Sequence, residues 1–177
     1  MFLTKPYNRE RAVEYARRWA LSRNPLFENF SGIGGDCTNF VSQCVYAGCC
    51  QMNYTPDFGW YYVSGDDRAP AWTGVEFFYD FMTSNEQEGP FATEVRRSRV
   101  RPGDVIQLAD SSGDFYHTLI VSAVTGIQIL VCAHSQDSLD RPLSSYNYAT
   151  ARFLRIDGAR VEIEDECFEG LINGTSL

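Results

Sequence analysis

The segment SGIGGDCTNFVSQCVYAG, residues 31–48, decides how the chain is read. Its first five residues are a glycine-rich turn that opens directly onto Asp36 and Cys37. From there Phe40, Val41, Cys44, Val45 and Gly48 recur at three- and four-residue intervals, which is the stripe of an amphipathic helix, and Cys37 lies on that stripe. Asp36 reads as the N-cap and Gly48 as the left-handed residue that ends the helix. Cys37 then falls in the first turn, where unpaired backbone N–H groups and the helix dipole favour thiolate, the reactive form of cysteine. The same stripe also suits an inert cysteine of the core, so a base elsewhere has to decide between the two.

Upstream, Asn8 is a good N-cap, and Ala12, Val13, Ala16, Trp19 and Ala20 carry a helical period that stops before Asn24-Pro25. Downstream, residues 51–72 are aromatic and irregular, with Trp60 and Trp72 among them. Thr73 to Glu76 has the spacing of a capping box, with Trp72 and Phe77 as its hydrophobic staple and Phe77, Phe78, Phe81 and Met82 as core candidates. The second half changes to strand-like alternation over 104–108, 116–123, 128–133 and 151–156, with a further short strand at 161–163. Helices first and an antiparallel sheet second is an α+β plan, and no linker, repeat or low-complexity tract divides residues 1–177 into more than one domain.

Only two histidines are present, and both belong to predicted strands. His117 shares its face with Leu119 and Val121, while His134 closes the next strand. A hairpin centred on Thr125-Gly126 pairs residues whose numbers sum to 251, which sets the two histidines directly opposite each other on one face. One would then take the thiol proton and the other would orient its ring. Asp137 and Asp140 are alternative orienting groups. Two histidines without a carboxylate at ligand spacing make a poor metal site, and no metal or cofactor is expected.

Fifteen basic and 23 acidic residues leave a net charge of −8, which argues against nucleic acid as a partner. No apolar run is long enough for a membrane span, and the N-terminus has no apolar signal region, which predicts a cytoplasmic protein as given, with unusual export open. The six cysteines contain no C-x-x-C pair, so neither a zinc site nor a disulfide framework is expected.

Gly34-Gly35-Asp36-Cys37-Thr38-Asn39-Phe40-Val41-Ser42-Gln43, then Pro102-Gly103-Asp104 and His117-Thr118, resemble the signature of the putative amidase domain family. That family is related to the NlpC/P60 and CHAP cysteine hydrolases. Tyr7-Asn8, Ala12, Tyr15-Ala16, Asn24-Pro25 and Pro142-Leu143 extend the likeness over residues 6 to 156. The resemblance implies a papain-like fold, with N-terminal helices on a small antiparallel sheet, and amide-bond hydrolysis through a thioester. It also implies Cys37 as nucleophile, His117 as base, His134 as orienting member, and a peptide or peptidoglycan fragment as substrate. Asp36, Asn39, Gln43, Trp60 and Trp72 are the further candidates for binding the substrate or the oxyanion. An acyltransferase using the same thioester, a catalytically silent binding module on the same frame, and a thiol redox protein using Cys49-Cys50 are the competing readings. The oligomeric state is not legible in the sequence.

Overall fold

Asn8 starts the first helix as its pattern predicts: Oδ1 accepts the Arg11 N–H at 3.1 Å, and helix α1 runs from Arg9 to Trp19. These positions come from a computed structural model that describes all 177 residues. Helix α2 spans Asp36–Cys49 and is buried on every side. A helix so placed can carry polar residues only if each is hydrogen-bonded. Gln43 accepts the Tyr15 hydroxyl at 2.6 Å, and Ser42 donates to the Trp72 carbonyl at 2.9 Å. Asn39 accepts the indole N–H of Trp72 at 3.0 Å.

Both ends of α2 differ from expectation. Gly35, at φ 94°, caps the N-terminus and Asp36 is already helical. The C-terminal cap is Cys50, left-handed at φ 51°, whereas Gly48 lies inside the helix. Gly48 is needed there for another reason, since a Cβ would sit 2.3 Å from the Tyr7 ring.

A short hairpin of β2 (Tyr62–Ser64) and β3 (Asp67–Arg68) leads to α3 (Pro70–Thr73) and α4 (Val75–Ser84). Gly74 separates these two helices, so the expected capping box does not form, and Thr73 instead accepts from Arg68. Phe78, Phe81 and Met82 are buried, but Phe77 is exposed.

The large sheet is antiparallel throughout. Its strands are β1 (Leu3–Lys5), β4 (Gly89–Val95), β5 (Val105–Ala109), β6 (Phe115–Thr125), β7 (Gln128–Ala133), β8 (Ser138–Pro142) and β9 (Thr150–Val161). Arg160 pairs with Thr4 on one side and Gly89 on the other, while Phe153 pairs with Ile106 and Val95. Strands β1 and β5 therefore share one flank of β9 and β4 takes the other. The order then continues from β5 through β6 and β7 to β8. Of the predicted strand at 161–163 only Val161 is strand, as the last residue of β9.

One sheet face packs Val105, Ile120, Cys132 and Leu154 against α1, α2 and α4. The other buries Ile106, Leu119, Val121 and Val131 beneath Leu143 and the 146–148 segment. This is the α+β frame read from the sequence. No helix is long and apolar enough to cross a membrane.

Two further expectations fail. Cys50 is disulfide-bonded to Cys167, which precedes the last helix, α5 (Phe168–Asn173), so the chain does carry a disulfide and Cys49-Cys50 is not a redox pair. The hairpin joining β6 and β7 turns one residue later than predicted, at Gly126-Ile127, and a bulge follows at Ser122. Val121 thus faces Val131 rather than Leu130, and β7 ends before reaching His117. The two histidines are not cross-strand neighbours.

Candidate active site

Cys37 stands in the first turn of α2, with 5% of its surface exposed. The first backbone bond of the helix runs from the Asn39 N–H to the Gly35 carbonyl at 2.9 Å, so the N–H groups of Asp36, Cys37 and Thr38 precede the ladder and point off its end. Gly35 brings the chain to this point by a conformation that disfavours other residues, and in a space that excludes them. A Cβ there would lie 2.8 Å from the Thr73 carbonyl oxygen.

Strand β6 begins at Phe115, but its pairing with β7 begins only at Ile120. The first residues of β6 consequently have a free edge on that side, and α2 presents its N-terminus to it. The Thr118 N–H is directed at the Cys37 sulfur. Strand alternation turns the Thr118 side chain toward α2, where its hydroxyl meets that of Thr38 at 2.8 Å. His117 leans the other way, with its ring 5.9 Å from that of Tyr146. Thiol and imidazole meet the same cleft, of about 860 Å³, through the notch left where β7 stops.

Both groups rest uncharged. Burial pushes the Cys37 thiol above its usual range, and the hydrogen bonds from Thr118 and Thr38 only partly offset it. The sequence-based expectation of a thiol lowered by the helix terminus is therefore corrected: desolvation wins. Burial, aided by the nearby charge of Arg141, holds His117 down to about 4. Both line the cleft, and no hydrogen bond joins the imidazole to the thiol, whose side-chain partner is the Thr38 hydroxyl at 3.8 Å.

His134 is elsewhere. Its Nδ1 lies 2.9 Å from Asp36 Oδ2, its Nε2 lies 2.9 Å from the Trp19 carbonyl, and its ring stacks on Phe40 at 4.0 Å. All histidine-ring hydrogen bonds of the chain belong to His134; the His117 ring makes none. His134 is thus not bonded to His117, nor are the two aspartates offered as substitutes. Asp137 pairs with Arg23 at 2.8 Å and Asp140 with Arg17 at 3.2 Å. What orients His117 is packing, with Tyr116 and Tyr146 on its ring.

Asp36 sits at the centre of a buried network. Oδ1 accepts the Phe30 N–H at 3.0 Å and Oδ2 is 3.2 Å from Arg23 Nε. Burial would raise its carboxyl, but the bonds from His134, Phe30 and Asn39, with the charge at His134, hold it at about 2. Asp36 and His134 together pin the turn before Cys37 to the end of α1.

Asn39, Gln43, Trp60 and Trp72 are all buried away from the cleft. Their polar atoms serve the packing of α2, with Trp60 Nε1 donating to Ser42 at 3.0 Å. Pro102-Gly103-Asp104 is likewise structural: Asp104 is fully buried and paired to Arg9 of α1 at 2.6 Å. Arg141, Tyr146 and Gln136 line the cleft and were not singled out in the sequence. No three His, Cys, Asp or Glu side chains gather as a metal-holding group.

The fold is thus an antiparallel α+β frame with a cleft lined by both a helix-terminal cysteine and a strand histidine. Residues 6–156 match the putative amidase domain, and the chain belongs to that family. It is 37% identical over 166 residues to the uncharacterized protein YhbB of Bacillus subtilis, covering 90% of this chain and 51% of the relative. A second B. subtilis relative, the uncharacterized protein YjcM, is 28% identical over 146 residues, covering 78% of this chain and 33% of that one. The chain thus spans about half or less of the length of these relatives. No solved structure matches it.

Proposed function

We propose that the chain is a cysteine-dependent amide hydrolase on a papain-like frame, with Cys37 as nucleophile and His117 as base. The observation that carries this reading is their meeting in one cleft, with the sulfur against the Thr118 N–H and the free N–H groups of α2 beside it. Membership of an amidase family supports the reaction class.

In this mechanism His117 takes the thiol proton as sulfur attacks the amide carbon. The developing oxyanion is met by the Cys37 N–H at the helix terminus. His117 then gives its proton to the leaving amine, and the C–N bond breaks to leave a thioester. Water, deprotonated by His117, attacks the thioester and releases the acid and the thiol. His134 acts at one remove, as a positioning residue that holds Asp36 and the turn before Cys37. A peptide or cell-wall peptide is the substrate class in view. The Cys50–Cys167 disulfide favours an oxidising compartment as the place of action.

Iodoacetamide labelling followed across pH tests the pair. Selective modification of Cys37 that persists through neutral pH, fades as pH falls through about 4, and collapses in His117→Ala is the expected result. Labelling of Cys37 no faster than that of the other buried thiols, and indifferent to His117, would leave a binding module on a hydrolase frame. Should an acyl-enzyme form, transfer to added glycine in preference to water would mark an acyltransferase.

A further inference from the structure

We propose that Arg141 is the specificity residue of the cleft, holding a carboxylate of the substrate beside the scissile amide. The inference rests on the Cys37–His117 reading and adds a substrate class to it: amides of acidic or carboxylate-terminated peptides.

Two arginines line the cleft, and they are not equivalent. Arg23 is spent on carboxylates, with Asp36 at 3.2 Å and Asp137 at 2.8 and 3.0 Å. Arg141 has no carboxylate within ion-pair distance. Its guanidinium is nevertheless held in place. Nε donates to Ser145 Oγ at 2.8 Å, Nη2 donates to the Ser145 carbonyl at 3.1 Å, and the plane lies 3.7 Å over the Tyr146 ring. Nη1 is left without a partner in the protein. A fixed guanidinium with an unused donor is prepared to receive an anion, because little side-chain freedom remains to be lost on binding.

Its position bears on the chemistry as well. The charge of Arg141 reaches His117 strongly enough to disfavour the imidazolium. A bound carboxylate would neutralise that charge and let His117 accept the thiol proton more readily. Substrate recognition and base strength are thereby coupled through one side chain. With Asp137 neutralised by Arg23, the charged residues lining the cleft sum to one positive charge in a protein of net charge −8.

Paired alkylating reagents that differ only in charge test this without a known substrate. Iodoacetate against iodoacetamide, and 3-maleimidopropionate against N-ethylmaleimide for longer reach, are timed at Cys37 and normalised to free cysteine. Expected is a preference for the anionic member of at least one pair that falls about tenfold in Arg141→Gln, survives in Arg141→Lys, and shrinks at high salt. The ratio within each pair is what is read, because losing the Arg141 charge also changes His117 and so acts on both reagents alike. Ratios that are the same in wild type and Arg141→Gln for both pairs would overturn the proposal while leaving the nucleophile intact.

A second measurement needs no reactive thiol. Cys37→Ser protein is titrated calorimetrically with N-acetyl-alanyl-glutamate and with its fully amidated counterpart. Preference for the acid that is lost on adding Arg141→Gln supports the proposal even if Cys37 proves unreactive. Equal binding of the two, or binding of neither, overturns it.

Discussion

His117 and Asp36 are the two groups at the site whose charge states the fold displaces furthest in useful pH ranges, and their windows do not overlap. His117 titrates at about 4 in the folded chain, below the 6.5 of free histidine. Between those values the unfolded chain binds the extra proton, so stability is complete above 6.5 and falls as pH drops toward 4. The loss is about 3 kcal/mol from this group. Asp36, held at about 2, contributes above 3.8 and is lost only as pH falls through 2. Urea unfolding of wild type and His117→Gln should therefore diverge in slope between pH 6.5 and 4.5, the variant being the flatter. Parallel curves would show that His117 is not buried neutral. Cys37 and His117 were legible because each needs only local information: a glycine turn before a helical stripe, and a histidine in phase with a strand. The partner of His134 was not, because it is chosen by the end of α1 and the turn at 30–36, which sequence spacing does not relate. Arg141 had no signal at all; what sets it apart is its place in the cleft with no acid paired to it, a property of three-dimensional arrangement.

At the scale of elements, the helices and the central strands followed from periodicity, while caps and edges did not. Strand β4 opens on Gly89-Pro90, which reads as a breaker until β9 supplies a partner for every residue after it. Strands β1 and β8 are short and polar, as edges are, and carry little alternation to detect. The N-terminus of α2 shows what replaced the predicted aspartate cap. Gly34 and Gly35 both adopt positive φ, at 78° and 94°, yet a Cβ on Gly34 meets nothing and one on Gly35 meets the Thr73 carbonyl. Gly34→Ala should cost about 1 kcal/mol, the backbone term alone. Gly35→Ala should cost about 1–3 kcal/mol more and slow Cys37 labelling, since the turn must shift to relieve the contact. Equal urea midpoints for the two variants would mean that the approach of Thr73 to this turn imposes nothing.

Across the whole molecule, the segment beyond the matched domain is tied to the nucleophile's helix from behind. Residues after 156 end β9, and α5 then docks by main-chain carbonyls: Ile172 accepts from Trp19 at 3.0 Å and Leu171 from Asn24 at 2.9 Å. The disulfide joins Cys167, just before α5, to Cys50, just after α2, across 117 residues of sequence. A loop that long loses considerable freedom when the unfolded chain is cross-linked, and removing the bond should cost about 4 kcal/mol. Cys37 lies at the opposite end of α2, a helix of 14 residues and so roughly 20 Å long. Stability and reactivity should therefore separate. Cys167→Ser, or wild type held in dithiothreitol, should unfold at lower urea and exchange the amides of α5 faster, while the folded protein alkylates Cys37 at an unchanged rate. Loss of labelling together with stability would mean instead that the disulfide positions the α2 N-terminus along the length of the helix. An unchanged urea midpoint would show that the packing of α5 alone, through Phe168 and Leu171, holds the C-terminal segment in place.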